Sequence, residues 1–326
     1  MLIFLSIFAH FYVYYCLTLC PLLSQFKFIS AIVLIMKKET LNKRTKIANA
    51  ILNYIYTHID TDINVDELSY DLDISKFHMH RIFKDAFGKN IYENIKDIRL
   101  QKASNLLITN KHSSISDIAS QCGYSSQSSF TRVFKQRFNM TPKEWKNGKY
   151  KDFSQEIISQ SPKALLSTAN FDTIEPSIVE MPVITSYYLR HSGYDPGIKK
   201  TWQKLFTWVL NNKVKNYKQI ALYHDNPTIT PLLSCQYIAC IVPDASENIQ
   251  SDKLPKFTIA SGTYAKFNLT GTYGDPLKFM RWVYHEWLPN SGYETTTKPS
   301  FAIYHKNHFL NEDGKFDLSF YVSINY

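Results

Sequence analysis

Apolar residues at Ile47, Ile51, Leu52, Ile55 and Ile59 recur at helical spacing, and Thr61-Asp62-Ile63-Asn64 breaks the run. Residues 65–72 then read as a short second helix with Asn64 as its N-cap. A tight turn at 73–75 leads into a third helix over 76–84, which Ser75 can cap and Gly88 can end. Residues 91–107 form a longer amphipathic helix, with Ile95, Ile98, Leu106 and Leu107 on its apolar side and Arg99 and Lys102 staying polar. The short pattern then returns as a helix at 116–122, a turn at Gly123 and a helix at 126–138. Arg81-x-Phe83-Lys84 in the first unit matches Arg132-Val133-Phe134-Lys135 in the second.

Two short helices around a tight turn, the second rich in polar and basic side chains, form the helix-turn-helix pattern. Its second helix can lie in a DNA major groove. Phe130, Phe134 and Phe138 sit four residues apart and form the buried face of the second unit. Gly123 permits the interhelical turn, Pro142 suits the start of the next helix, and Trp145 can pack on the core with Cys122. Residues 91–107 would hold the two units at fixed spacing.

The texture changes beyond Tyr150. Residues 151–172 carry Ser, Gln and Lys with one Pro and read as an interdomain linker. Strands are predicted over 178–190, 219–224, 237–242, 257–267, 300–304 and 317–324, with helices over 197–211 and 275–287. The order is β-α-β-β, seen twice. The chain therefore reads as multidomain, an all-α double helix-turn-helix domain over 36–150 followed by an α+β domain of two such repeats over 173–326.

Charge sharpens this division. Residues 36–150 hold 19 Lys and Arg against 12 Asp and Glu, whereas residues 151–326 hold 17 against 16. The positive field suited to nucleic acid belongs to the first half alone. Five cysteines, Cys16, Cys20, Cys122, Cys235 and Cys240, recur at no shared spacing, so neither a disulfide framework nor a zinc site is expected. Reduced thiols fit a cytoplasmic protein. No other metal or cofactor is expected.

Residues 1–35 carry a single charge, Lys27, and form an apolar leader long enough to span a bilayer. A membrane anchor, a signal peptide and translated upstream sequence all fit its composition. No basic segment precedes the apolar run, and the chain from Met36 is self-sufficient, so the native start is expected at Met36 and no membrane partner is expected.

The run Ile118-Ala119-x-x-Cys122-Gly123-Tyr124-x-Ser126-x-x-x-Phe130-x-Arg132-x-Phe134-Lys135-x-x-Phe138-x-x-Thr141-Pro142 resembles the signature of the AraC/XylS family of transcription regulators. The resemblance covers about residues 44–149. It implies that Ser75, Lys76, Phe77, His80 and Arg81 of the first unit, and Ser126, Gln127, Ser128 and Arg132 of the second, contact bases or backbone. Arg suits guanine O6 and N7, and Gln suits adenine. Lys84, Lys135 and Arg137 suit phosphates, which position without specifying. Arg81 and Arg132 could instead brace the fold, and Phe77 could be core. The implied partners are double-stranded DNA and RNA polymerase, with the protein acting as a monomer or homodimer.

The second half is similar to GyrI-like effector-binding domains. The resemblance rests on Trp202, Tyr223-His224-Asp225-Asn226-Pro227, Gly262-x-Tyr264-Ala265-x-Phe267, Gly271-x-Tyr273, Trp287-Leu288-Pro289-x-Ser291-Gly292-Tyr293 and Pro299-Ser300-Phe301-Ala302-Ile303-Tyr304. It implies a small-molecule or protein effector, and an aromatic cleft between the repeats with Tyr187, Tyr223, Phe301 and Tyr304 as lining residues. The alternative for each is a place in the core. Many relatives carry Glu where this chain has Ala302, a carboxylate tied to cationic ligands and, in some members, to hydrolysis. With Ala302 in its place, and no nucleophile and base at convincing spacing, a sensor is expected rather than a hydrolase.

Overall fold

The computed structural model describes residues 40, 43–249 and 254–325. The leader, with Cys16, Cys20 and the expected start at Met36, lies outside the described residues. Helix α1 covers 43–57. It is followed by α2 (Val65–Asp71), α3 (Lys76–Phe87), α4 (Ile91–Thr109), α5 (Ile115–Gln121), α6 (Gln127–Phe138) and the short α7 (Pro142–Glu144).

The repeat seen in the sequence is a repeat of structure. Helices α2 and α5 have seven residues each, and α3 and α6 have twelve each. Ser75 and Ser126 cap α3 and α6, accepting from the His78 and Ser129 amides. Gly88 and Asn139 end the same two helices in the left-handed conformation. Asp73 and Gly123 supply the positive φ in the two turns.

Two apolar cores flank α4. Ile91, Ile95 and Ile98 enter the first with Ile51, Ile55, Met79 and Phe83. Leu100, Ala103, Leu106 and Leu107 enter the second with Phe130, Phe134 and Trp145. Nineteen residues at 1.5 Å per residue make α4 a strut roughly 28 Å long. Trp145 is fully buried, and its indole nitrogen donates to the Ser104 carbonyl at 2.9 Å.

The expected linker is not an open tether. Helices α8 (Tyr150–Ser159) and α9 (Pro162–Leu166) occupy most of it. Ile157, Ile158 and Ala164 pack there with Leu232 and Leu277. Spaced apolar residues within polar sequence concealed this packing.

The second domain has strands β1 (Ser177–Met181), β2 (Ile184–Ser192), β3 (Tyr217–Tyr223), β4 (Gln236–Pro243), β5 (Lys256–Ile259), β6 (Gly262–Thr272), β7 (Glu294–Thr295), β8 (Ser300–Lys306) and β9 (Lys315–Asn325). Helix α10 (Ile198–Asn211) follows β2, α11 (Asp275–Trp282) follows β6, and the short α12 (Leu288–Asn290) precedes β7. The antiparallel order is β1-β6-β9-β8-β3-β4-β2-β5, with β7 added on β9. One repeat supplies β2, β3 and β4, the other β6, β8 and β9. The repeats meet at β3 and β8, where Ala221 faces Ala302. Each outer strand crosses over, β1 pairing with β6 of the second repeat and β5 with β2 of the first. Helices α10 and α11 cover one face, packing Trp202, Leu205, Phe279 and Met280 on Ala221, Phe267, Ala302 and Phe320. Tyr188, Leu222, Cys240, Phe301 and Tyr321 form the core of the other face.

Candidate nucleic-acid interface and domain junction

Helices α3 and α6 each bury one apolar face and present the other to solvent. Met79, Ile82 and Phe83 anchor α3, and Phe130, Phe134 and Phe138 anchor α6. Ser75, Lys76, Phe77, Arg81, Lys84, Ser126, Gln127, Ser128, Arg132 and Lys135 are exposed, and His80 is half-buried. Both units thus bring their expected residues together on the open side of the second helix. Phe77 is 78% exposed, so it is not core. Arg81 reaches only its own helix, hydrogen-bonded to the His78 ring at 3.0 Å and lying over the Phe77 ring. Arg132 makes no hydrogen bond or ion pair with any described residue, so neither arginine braces the core. Lys76 pairs with Asp66 at the start of α2.

Arg99 on α4 joins the two units. Its guanidinium donates to the carbonyls of Ile59 at 3.2 Å and Thr61 at 2.8 Å. The same group lies against Gly123, where a Cβ would stand 2.6 Å from it. The sequence marked Arg99 only as polar.

The second domain docks directly on this region. Residues 224–230, which follow β3, are all buried. Lys102 Nζ donates to the His224 carbonyl at 3.0 Å, Gln101 to Thr230 Oγ1 at 2.7 Å, and Asn226 to Asn105 Oδ1 at 2.8 Å. Ile229 enters the core of the second helix-turn-helix unit. The Tyr56 ring stacks on His224 at 3.7 Å. Arg190 on β2 donates to Asn49 and Asn53 of α1 at 3.1 and 3.0 Å. The Glu294 carboxylate accepts from the Ser113 amide and hydroxyl.

Burial shifts the charges trapped here. It pulls Lys102 down to about 8, against the opposing pull of Asp225. It pushes Asp225 up to about 6, although the Gln236 amide, Lys102 and Arg190 all favour its charged form. His224 is held well below its ordinary value by burial, then by Arg190 and Lys102. Lys102 was expected on the polar side of the helix. Its role escaped the sequence because only the docked second domain encloses it.

The expected effector cleft is only partly assembled. Tyr223 and Tyr304 lie on the helix-covered face, buried in a cluster of aromatic rings, Tyr223 against Tyr194 and Tyr237 and Tyr304 against Trp202. The Trp202 indole nitrogen donates into it at the Tyr237 hydroxyl, 3.0 Å away. Tyr187 is half-buried and packs its ring on Trp208. Phe301 must be removed from the set. It is fully buried on the opposite face and stacks on Tyr321 at 4.6 Å. Strand alternation explains this, since Phe301 and Ala302 are consecutive and point to opposite faces. Ala302 lies on the helix-covered face with Tyr304. Cys122, Cys235 and Cys240 are free and buried. Among the described residues no helix is long and apolar enough to cross a membrane.

Comparison with known proteins follows the same division. A GyrI-like small molecule binding domain matches residues 174–325, and a helix-turn-helix domain matches residues 68–148. The chain is 38% identical over 109 residues to "Probable transcription factor PqrA" of Proteus vulgaris, covering 32% of this chain and 88% of that protein. It is 32% identical over 102 residues to "Regulatory protein SoxS" of Salmonella typhimurium, covering 31% and 94%. It is 35% identical over 107 residues to the "Xylose operon regulatory protein" of Escherichia coli, covering 33% of this chain and only 26% of that protein.

Proposed function

This chain belongs to the AraC family of transcription regulators and carries a GyrI-like small-molecule-binding domain, and from that premise we propose how it reads DNA and responds to an effector. The N-terminal halves of α3 and α6 enter adjacent major-groove segments of one duplex. Ser75, Lys76, Phe77, His80 and Arg81 from α3, with Ser126, Gln127, Ser128 and Arg132 from α6, face bases and sugars. Lys84 and Lys135 take phosphates. Phe77 carries the reading. A bare aromatic ring among polar neighbours at a helix start is suited to a thymine methyl or a sugar and has no role in holding the fold.

The second domain controls this surface. Tyr223 ends β3 on the helix-covered face, and the next residues pack on α4. A ligand that moves Tyr223, Tyr304 or Tyr187 therefore pulls on the strut between the two reading heads. The result changes DNA affinity or contact with RNA polymerase. The protein acts in the cytoplasm, as a monomer or homodimer, and without turnover, since Ala302 leaves no carboxylate at the centre of the sheet. Selection of bound duplexes from a random pool by the full chain tests this reading. It should return a bipartite site with two determinants about one helical turn apart. A pool with no enriched sequence would overturn it.

A further inference from the structure

The two helix-turn-helix units have separate apolar cores that share no residue. Met79 and Phe83 root α3 in the first, and Phe130 and Phe134 root α6 in the second. Helix α4 passes from one to the other, with Ile98 in the first core and Leu100 in the second. Arg99 stands at that changeover. Its Nε and Nη2 donate to the Ile59 and Thr61 carbonyls, at 3.2 and 2.8 Å, where the chain leaves α1. The same group lies against Gly123, in the turn between α5 and α6. A Cβ there would stand 2.6 Å from Cζ, 2.6 Å from Nη2 and 2.7 Å from Nε. Near-equal distances to three atoms of one plane put the glycine over the face of the guanidinium. That group is planar and rigid, and two carbonyls fix its orientation. It is thus a plate between a turn of the first unit and a turn of the second, and Gly123 makes room for it by having no side chain. The angle this sets between the reading helices matters on DNA, because one base pair more or less between two half-sites turns one of them about the duplex by roughly 35°.

We propose that Arg99 is a positioning residue for DNA reading. Its guanidinium, wedged between the two turns, sets the angle between α3 and α6 and with it the spacing of the two DNA determinants that the protein accepts. The proposal rests on the reading that both heads engage one duplex. Arg99 touches no base in this role and acts through the turns that it separates.

The angle is read first without DNA, in the full chain, by dipolar electron resonance between nitroxide labels on Lys84→Cys and Lys135→Cys. These are exposed, equivalent positions of α3 and α6. With Cys16→Ser and Cys20→Ser, the remaining thiols are buried. One narrow distance distribution is expected. Arg99→Ala should make it about twofold wider, and Arg99→Lys, which keeps the charge and guards against loss of the fold but lacks the planar fork, should widen it too. Gly123→Ala drives the guanidinium from its seat and should match Arg99→Ala, while the two together should be no wider than Arg99→Ala alone. Gly88→Ala, with similar left-handed strain but open space around it, should keep the parent's width. Melting curves show that each variant folds. Unlabelled chains are then titrated with bipartite duplexes whose spacer is one base pair longer or shorter. The parent should lose about tenfold in affinity and Arg99→Ala about threefold or less, with equal affinity for a single determinant. A parent-like width in the Arg99 and Gly123 variants, a broadening in Gly88→Ala as large as theirs, or an unchanged spacer penalty in Arg99→Ala would each overturn the proposal. Because the labels report without DNA, failure there leaves the DNA-reading proposal standing, and that proposal fails only in the duplex selection.

Discussion

The carboxamide of Asn110, at the end of the strut helix α4, forms a two-way bridge to the backbone of Thr295 in β7. Its nitrogen donates to the Thr295 carbonyl at 3.0 Å, and its oxygen accepts from the Thr295 amide at 3.0 Å. Both residues are buried, so water cannot replace the lost partner. Asn110→Ala should cost about 2–4 kcal/mol, since two backbone groups lose their bonds together. Denaturant unfolding measures the loss, and hydrogen exchange at the Thr295 amide should accelerate. An unchanged exchange rate would show that the bridge does not hold the domains.

Arg132→Ala should leave stability within about 0.5 kcal/mol, because the side chain is exposed and free of described partners. Its loss should weaken specific DNA binding by about 1–3 kcal/mol. Phe77→Ala should likewise spare the fold and relax sequence preference on the first unit's side of the site. Melting curves and gel shifts on matched and mismatched duplexes separate the two effects.

Gly88 and Gly123 offer a paired comparison of backbone and space. Both have positive φ, +75° and +73°. A Cβ at Gly88 meets nothing within 4 Å, so Gly88→Ala should cost only the left-handed strain, about 1–2 kcal/mol. At Gly123 the same Cβ collides with the Arg99 guanidinium and must displace it from Ile59 and Thr61. Gly123→Ala should therefore be the more destabilising of the two in urea unfolding. Equal losses would mean that Arg99 yields freely.

Acid should loosen the protein. Burial, then Arg281 and Lys151, hold His285 down to about 3, and burial holds His308 down to about 4. The unfolded chain binds protons on both from near pH 6.5, so their stability is fully present above that pH and is lost as pH falls toward 4. For His308 the loss is about 2–3 kcal/mol by pH 4. His224 acts in the same direction. Asp225, raised to about 6, acts in the opposite one, its contribution fading as pH rises from about 4 to 6. Three histidines outweigh one carboxyl, so the melting temperature should fall from pH 7 to pH 4. His308→Gln should flatten part of that slope.

The DNA-reading half was legible because its signals are local. Four-residue spacing of Phe130, Phe134 and Phe138, serines at N-caps, and Gly88 and Gly123 at turns each act within a few residues. The same holds for the β-α-β-β order, which alternation and helical spacing betray strand by strand. The two-residue β7 carries too little pattern to be seen, and the helices of 150–166 sit in polar sequence that resembles a tether.

Taken alone, the sequence determined the two reading helices, their capped ends and the order of elements in the second domain, since propensity and periodicity are properties of neighbouring residues. Tertiary structure alone decided that Lys102 is an enclosed junction residue and that residues 224–230 wedge against the strut. Those outcomes depend on which surfaces meet across more than a hundred residues of chain, and burial, which sets the energy of a charge or an aromatic ring, exists only once they have met.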